Sequence, residues 1–188
     1  MNRHPNVLNR DASVLLVIDP QTAFTDVISG WDDCMKNCRL LIQSARELGI
    51  PVIPTTQNAT RLGNIVPELA QALGPIRSFD KLTFSCMGDT FIADAIRGAR
   101  RQQIVLCGIE THICIAQTAM ELQAVGYQPH VVADAVGARS ELKHQLGLER
   151  LKANNIAPTS AEAIIYEWLG AAGSPEFRAL LPYIKEAG

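Results

Sequence analysis

The chain contains no Gly-x-Gly and no Gly-x-x-x-x-Gly-Lys-Ser/Thr, so the backbone cradles that usually hold a phosphate are missing. That argues against a nucleotide-binding module. It has no large excess of either charge: the formal net charge is −2 at pH 7, which gives no electrostatic reason to expect nucleic acid or an anionic membrane as partner. The one dense basic cluster, Arg97, Arg100 and Arg101, reads as a set of cations at a helix C-terminus. Long hydrophobic runs are also absent. The strongest, Val14 to Ile18, is far too short to cross a bilayer, and the polar Met1–Asn6 has no apolar signal core. There is no C-x-x-C pair among the five cysteines, and Cys34 and Cys38 have no His or Cys partners at metal-site spacing. These absences predict a soluble cytoplasmic protein from a reducing compartment. No linker or repeat divides the 188 residues, which predicts a single domain over 1–188.

What is present is an alternation of strand and helix signals. Val14–Ile18 is a short apolar run, the mark of a strand buried on both faces. Met35, Cys38, Leu41, Ile42, Ala45 and Leu48 recur at helical spacing up to Gly49. Further strands are expected over 51–56, 76–81, 103–107 and 130–134, with a short edge strand at Ile156–Pro158. Helices are expected over 66–73, 91–100, 114–125 and 140–153. Thr159 with Glu162 forms a capping box for another helix running to Leu169, and Ser174-Pro175-Glu176 opens the last. The alternation predicts an α/β fold, a three-layer α/β/α Rossmann-like parallel sheet of about six strands. Ligands in such sheets sit beyond the carboxyl ends of the strands, at the topological switch point.

Three residues that carry chemistry lie at such ends. Cys114 falls where the strand Gln103–Cys107 and the turn Gly108–Ile113 give way to a helix. There, unpaired N–H groups and the helix dipole favour a thiolate. Asp19 ends the first strand, which Pro20 cannot extend, and Lys81 ends the third. Taken singly, each has an ordinary reading: a turn cap, a solvated lysine, a small buried thiol. Taken together they supply a base, a cation and a nucleophile. Two unit charges about 4 Å apart attract by roughly 4 kcal/mol at an effective dielectric near 20, ample to move a thiol pKa.

Asp19-Pro20-Gln21-Thr22-Ala23-Phe24, Lys81 with Phe84-Ser85, Gly108-Ile109-Glu110-Thr111-His112-Ile113-Cys114 and Val131-Val132-Ala133-Asp134-Ala135 recur in this order and spacing. On these segments the chain resembles the isochorismatase-like cysteine hydrolases over nearly its whole length. The resemblance implies a triad in which Asp19 accepts the thiol proton, Lys81 stabilises the sulfur anion, and Cys114 attacks a carbonyl to give an acyl thioester. It also implies a cis peptide at Ile109–Glu110 and an oxyanion hole made by the backbone N–H groups of Glu110 and Cys114. Gln21, Phe24, Gln57, Phe84 and His112 become candidate pocket residues, with Trp31 as a further aromatic that closes the pocket.

Departures from the family pattern narrow the reading. Nicotinamidase-like members carry an aspartate–histidine metal site after the second strand, whereas no histidine lies between Val52 and Thr111 here. No metal and no cofactor are therefore expected. Isochorismate-cleaving members lack the cysteine, so Cys114 argues against vinyl ether cleavage. Glu110-x-His112-x-Cys114 with Arg139-Ser140 is most similar to the compact isochorismatase-domain proteins. The expectation is a metal-free hydrolase acting on a C–N bond of a small amide or carbamoyl compound. The alternatives are a degenerate member that binds or assembles and an isochorismate-type vinyl ether hydrolase. A homo-oligomer is expected by analogy, and His112 is expected to make a structural hydrogen bond.

Overall fold

In the computed structural model, which describes residues 4 and 6–187, β1 (Ser13–Ile18) is the axis of the fold. All six of its residues are buried, and successive side chains point to opposite faces, as strand geometry requires. Leu15 and Val17 enter one apolar cluster, while Val14, Leu16 and Ile18 enter another. Each such fully buried aliphatic side chain contributes roughly 1.5–3 kcal/mol.

β1 lies between β2 (Val52–Gln57) and β4 (Gln103–Ile109), with β3 (Phe79–Lys81) outside β2 and β5 (Gln128–Gly137) outside β4. All pairings are parallel, giving a five-stranded sheet in the order β3-β2-β1-β4-β5. The first cluster is closed by α1 (Trp31–Glu47), α3 (Pro67–Leu73), α7 (Ala161–Leu169) and α8 (Pro175–Ala187). The second is closed by α4 (Thr90–Gly98), α5 (Ala116–Ala124) and α6 (Glu141–Ala153). A single turn, α2 (Ala59–Leu62), follows β2. The three-layer prediction therefore holds, with the strand order reversing at β1.

The sixth strand does not form. Residues 156–158 have no ladder, and only Thr159 bridges Val132, through Ala133 N to Thr159 O at 2.7 Å and Thr159 N to Val131 O at 2.9 Å. Pro158 supplies no N–H, and β5 extends past Asp134 to Gly137 instead. The cap of α7 also falls one residue later than the capping-box reading: Ser160 accepts from Ala163 N. Ser174 caps α8 through Phe177 N at 3.0 Å, as expected. Two of the three arginines in the basic cluster have partners within the chain. Arg97 pairs with Asp94, and Arg101 donates to the carbonyls of Arg10 and Ser13 at 2.7 and 3.0 Å.

Two glycines set the approach to the switch point. Gly108 has φ +109°, and a Cβ there would lie 2.0 Å from the Ile18 carbonyl oxygen, so β4 can pass β1 this closely only with glycine. A Cβ on Gly147 of α6 would press on the His112 backbone at 3.0 Å, so this glycine lets α6 pack directly on the turn after β4.

Candidate active site

Four strand ends meet at the switch point. β1 ends at Ile18, and the next residue, Asp19, adopts φ +53° ahead of Pro20 and donates its N–H to Thr55 O at 3.2 Å. An aspartate tolerates this left-handed conformation better than most residues, and it turns the carboxylate across the strand ends. Register pairs Thr55 of β2 with Phe79 and Gln57 with Lys81, so Thr55, Gln57 and Lys81 share one face of the sheet. Each then reaches Asp19 or its partners. Thr55 Oγ1 donates to Asp19 Oδ1 at 2.7 Å, and Lys81 Nζ donates to Asp19 Oδ2 at 2.6 Å.

The lysine ammonium has three N–H groups, and three acceptors surround it. Besides Asp19 these are Gln57 Oε1 at 2.7 Å and Cys114 Sγ at 3.9 Å. Lys81 and Asp19 are almost fully buried, at 0% and 2% side-chain exposure. Removing one partner of such a pair strands a charge, a loss of about 3–5 kcal/mol.

Cys114 is not the first residue of an α-helix. It lies within a π-helical turn, Thr111–Ile115, that precedes α5, with Ile115 N bonded to Glu110 O at 3.3 Å. The peptide before that turn, Ile109–Glu110, is cis. The thiol is also not poised as a thiolate. Burial first, then the Asp19 charge, push Cys114 up to about 12, against the pull of Lys81. The helix-end argument failed because it counted local backbone groups and omitted burial and a carboxylate delivered by another strand. Burial raises Asp19 as well, outweighing Lys81 and its hydrogen bonds. Lys81 is raised despite burial, because Asp19 and Cys114 favour its charge. The resting site is thus a thiol hydrogen-bonded to a basic carboxylate that an ammonium holds in place.

Asp19, Gln57 and Cys114 face a cavity of about 250 Å³. Its walls are apolar: Phe24, Leu62, Phe84, Ile109 and Ile113. Glu110 and Arg139 complete it. Hollows of about 540 Å³ beside Arg39 and about 320 Å³ beside His130 are larger, but neither brings a thiol to a carboxylate or a lysine. Among the described residues, no group of three or more His, Cys, Asp or Glu is placed to hold a metal ion.

Other candidate pocket residues have different places. Gln21 is completely buried and does not border the cavity. Its Oε1 accepts from Gln57 N at 2.7 Å, and its Nε2 donates to Gln57 O at 3.2 Å and Gly63 O at 2.6 Å. It therefore clamps the backbone of Gln57, whose own Nε2 donates to Leu82 O at 2.9 Å. His112 also lies outside the cavity lining, and its buried Nδ1 has no hydrogen-bond partner, so the structural bond expected of it is not seen at that atom. Trp31 is buried in the core as the first residue of α1. Thr55, Leu62, Ile113 and Arg139 are site residues that sequence reasoning did not single out as such. Thr55 was findable, being two residues before Gln57 and so on the same strand face.

The isochorismatase domain model matches residues 13–163. The chain belongs to the isochorismatase family. It is 34% identical over 179 residues to the secreted isochorismatase effector Isc1 of Phytophthora sojae, covering 93% of this chain and 85% of that protein. Among solved structures, the MAR1 ribonuclease of Caenorhabditis elegans superposes with a TM-score of 0.89 at 33% identity, covering 95% of this chain and 92% of that one. The YcaC protein of Escherichia coli, described as an octameric hydrolase of unknown specificity, shares the fold at a TM-score of 0.90 and 19% identity, covering 99% and 95% of the two chains. Within this isochorismatase-family fold, no helix among the described residues is long and apolar enough to cross a membrane.

Proposed function

We propose that this isochorismatase-family protein is a metal-free cysteine hydrolase that cleaves a C–N bond of a small amide or carbamoyl compound. The observation that carries the reading is the convergence of one thiol, one basic carboxylate and one ammonium at an apolar cavity, with Lys81 Nζ 2.6 Å from Asp19 and 3.9 Å from Cys114. As Cys114 Sγ bonds to the carbonyl carbon, its proton passes to Asp19. The carbonyl π electrons move to oxygen, where the N–H groups of Glu110 and Cys114 are the proposed donors. Asp19 then protonates the departing nitrogen, the C–N bond breaks, and an acyl thioester remains. Water attacks that carbonyl, giving one proton to Asp19. Collapse breaks the C–S bond, and Asp19 returns the proton to sulfur. Lys81 compensates whichever of its two neighbours carries the charge. No cofactor enters the cycle.

The apolar walls and the near-neutral net charge of −2 favour a small molecule over an RNA backbone, although one relative is described as a ribonuclease. Five unpaired cysteines suit a reducing, cytoplasmic compartment, and the octameric relative supports a homo-oligomer. The test is ammonia release from a panel of small primary amides and carbamoyl compounds, with intact-mass detection of an acyl adduct on Cys114. Turnover that disappears in Cys114→Ala supports the reading. A panel without turnover or adduct turns it toward the degenerate member that binds or assembles.

A further inference from the structure

The charges around the cavity cancel in touching pairs, and the pair at its polar edge is built in an unusual order. Glu110 is the buried partner at 6% side-chain exposure, and Arg139 is the exposed one at 52%. The Glu110 carboxylate is held twice over. Arg139 Nε lies 3.1 Å from both of its oxygens and Nη2 lies 2.8 Å from Oε1, while the Arg139 backbone N–H donates to Oε2 at 3.1 Å. The backbone bond fixes the carboxylate independently of where the guanidinium goes. Burial works against the charge on Glu110, but the hydrogen bonds from Arg139 outweigh it and hold the carboxyl below its usual range, so the pair is ionic at neutral pH.

We infer that Glu110 makes this cavity select uncharged ligands, by occupying the cation that would otherwise receive a substrate carboxylate. The inference rests on reading this cavity as the substrate site. Of the cations in the two ion pairs, Lys81 is buried behind Asp19 and Gln57 and does not border the cavity. Arg139 does border it, yet its charge is already paired with Glu110 through Nε and Nη2. Two carboxylates, Asp19 and Glu110, face the same space. A ligand carboxylate would give up its water for phenylalanine, leucine and isoleucine walls, and no unpaired cation among the lining residues would compensate it. A ligand ammonium fares no better, since each carboxylate already holds a cation. A small apolar amide meets no such cost. Its carbonyl oxygen and amide nitrogen require hydrogen bonds only, and its hydrocarbon part matches the walls. The predicted substrate class is therefore a neutral amide with a short branched or aromatic apolar group.

The experiment is equilibrium binding of a matched pair, isobutyramide and isobutyrate, to the full chain carrying Cys114→Ala, read by calorimetry. The amide binds at least about tenfold tighter than the carboxylate, a difference of one decade in Kd. Adding Glu110→Gln, a near-isosteric change that frees Arg139, moves the ratio about tenfold or more toward isobutyrate. Adding Arg139→Gln instead leaves Glu110 uncompensated, moves the ratio further toward the amide, and admits isopropylamine. These two variants push in opposite directions, so failure of one to fold leaves the other to decide. Equal binding of the pair, no measurable binding of either, or a ratio indifferent to both variants overturns the inference. Turnover of isobutyramide by the unsubstituted protein reports separately on the hydrolase reading. Selective binding without turnover removes the reaction and leaves the charge selection standing; turnover with charge-blind binding does the reverse.

Discussion

Two ion pairs stand within one site and are built differently. Lys81–Asp19 is sealed from water, with both partners drawn into a tripod that includes Gln57 and Cys114. Glu110–Arg139 is sealed on one side only, so its cation is half in solvent. In the proposed hydrolase the sealed pair serves proton movement, because a buried carboxylate with a raised pKa is a base that a solvated one could not be. The half-open pair serves selection, because its cation is where a ligand would first test its charge. Position along the depth of the site, more than residue type, separates the two tasks.

The comparison breaks most completely at the sealed pair. Lys81→Met leaves Asp19 buried without its cation, and a loss of about 3–5 kcal/mol is expected. In a chain of this size that lowers the thermal midpoint by roughly 6–20 °C, measurable by calorimetry. The same cut at the half-open pair, Arg139→Gln, is expected to cost at most about 1 kcal/mol because solvent screens the guanidinium. Midpoints that fall equally in the two variants would remove the distinction.

The thiol gives the next largest effect. With Cys114 pushed up to about 12, iodoacetamide alkylation at that residue rises about tenfold per pH unit across the neutral and mildly alkaline range, with no plateau near the reference of about 8.5. The sign follows from the causes. Below the folded pKa the sulfur carries its proton, and only the minor thiolate reacts. Asp19→Asn removes both the charge and the hydrogen bond that raise it, so the plateau moves down while amide turnover is lost. Peptide-resolved mass spectrometry against pH checks both statements, and a plateau near pH 8.5 in the unsubstituted protein would refute the first.

Gln57 tests whether the tripod needs a neutral third leg. Gln57→Glu adds a carboxylate beside Lys81 and Cys114, raises the thiol further, and lowers alkylation at neutral pH by about tenfold or more. An unchanged pH profile with altered ligand affinity would return Gln57 to the simple role of pocket lining. The smallest effect is expected far from both pairs. Arg97→Ala removes an exposed contact with Asp94 and shifts stability by no more than about 0.5 kcal/mol by denaturant titration.

How much of this was legible in the residues depends on the range over which each feature is encoded. The strands were readable because burial on both faces makes them uninterrupted apolar runs, as in Val14–Ile18. Asp19 was readable because it directly follows such a run, Cys114 because it opens the helix after one, and Lys81 because it ends a weaker strand. The family pattern also placed the cis peptide correctly at Ile109–Glu110. Ile156–Pro158 misled because a three-residue apolar segment carries too little periodicity to distinguish a strand from a covering loop. The resting thiol misled because its protonation depends on a carboxylate that arrives from a distant strand. Glu110 and Arg139 are 29 residues apart, and no local pattern announces that they touch. Gln21 was taken for lining because it belongs to the family-matching segment that opens with Asp19; the chain turns there, and its amide points back into the protein.

The central position of β1 also sets the order in which the molecule can be made. Its two neighbours are β2 and β4, and Ser13 and Gln103 at the start of the second pairing are 90 residues apart. A ribosome adding about 5–20 residues per second takes roughly 5–20 s to traverse that interval. For that time one edge of a strand whose apolar side chains belong on both faces waits without its neighbour. Nascent chains of this protein are therefore expected to be clients of ribosome-associated chaperones until β4 has emerged.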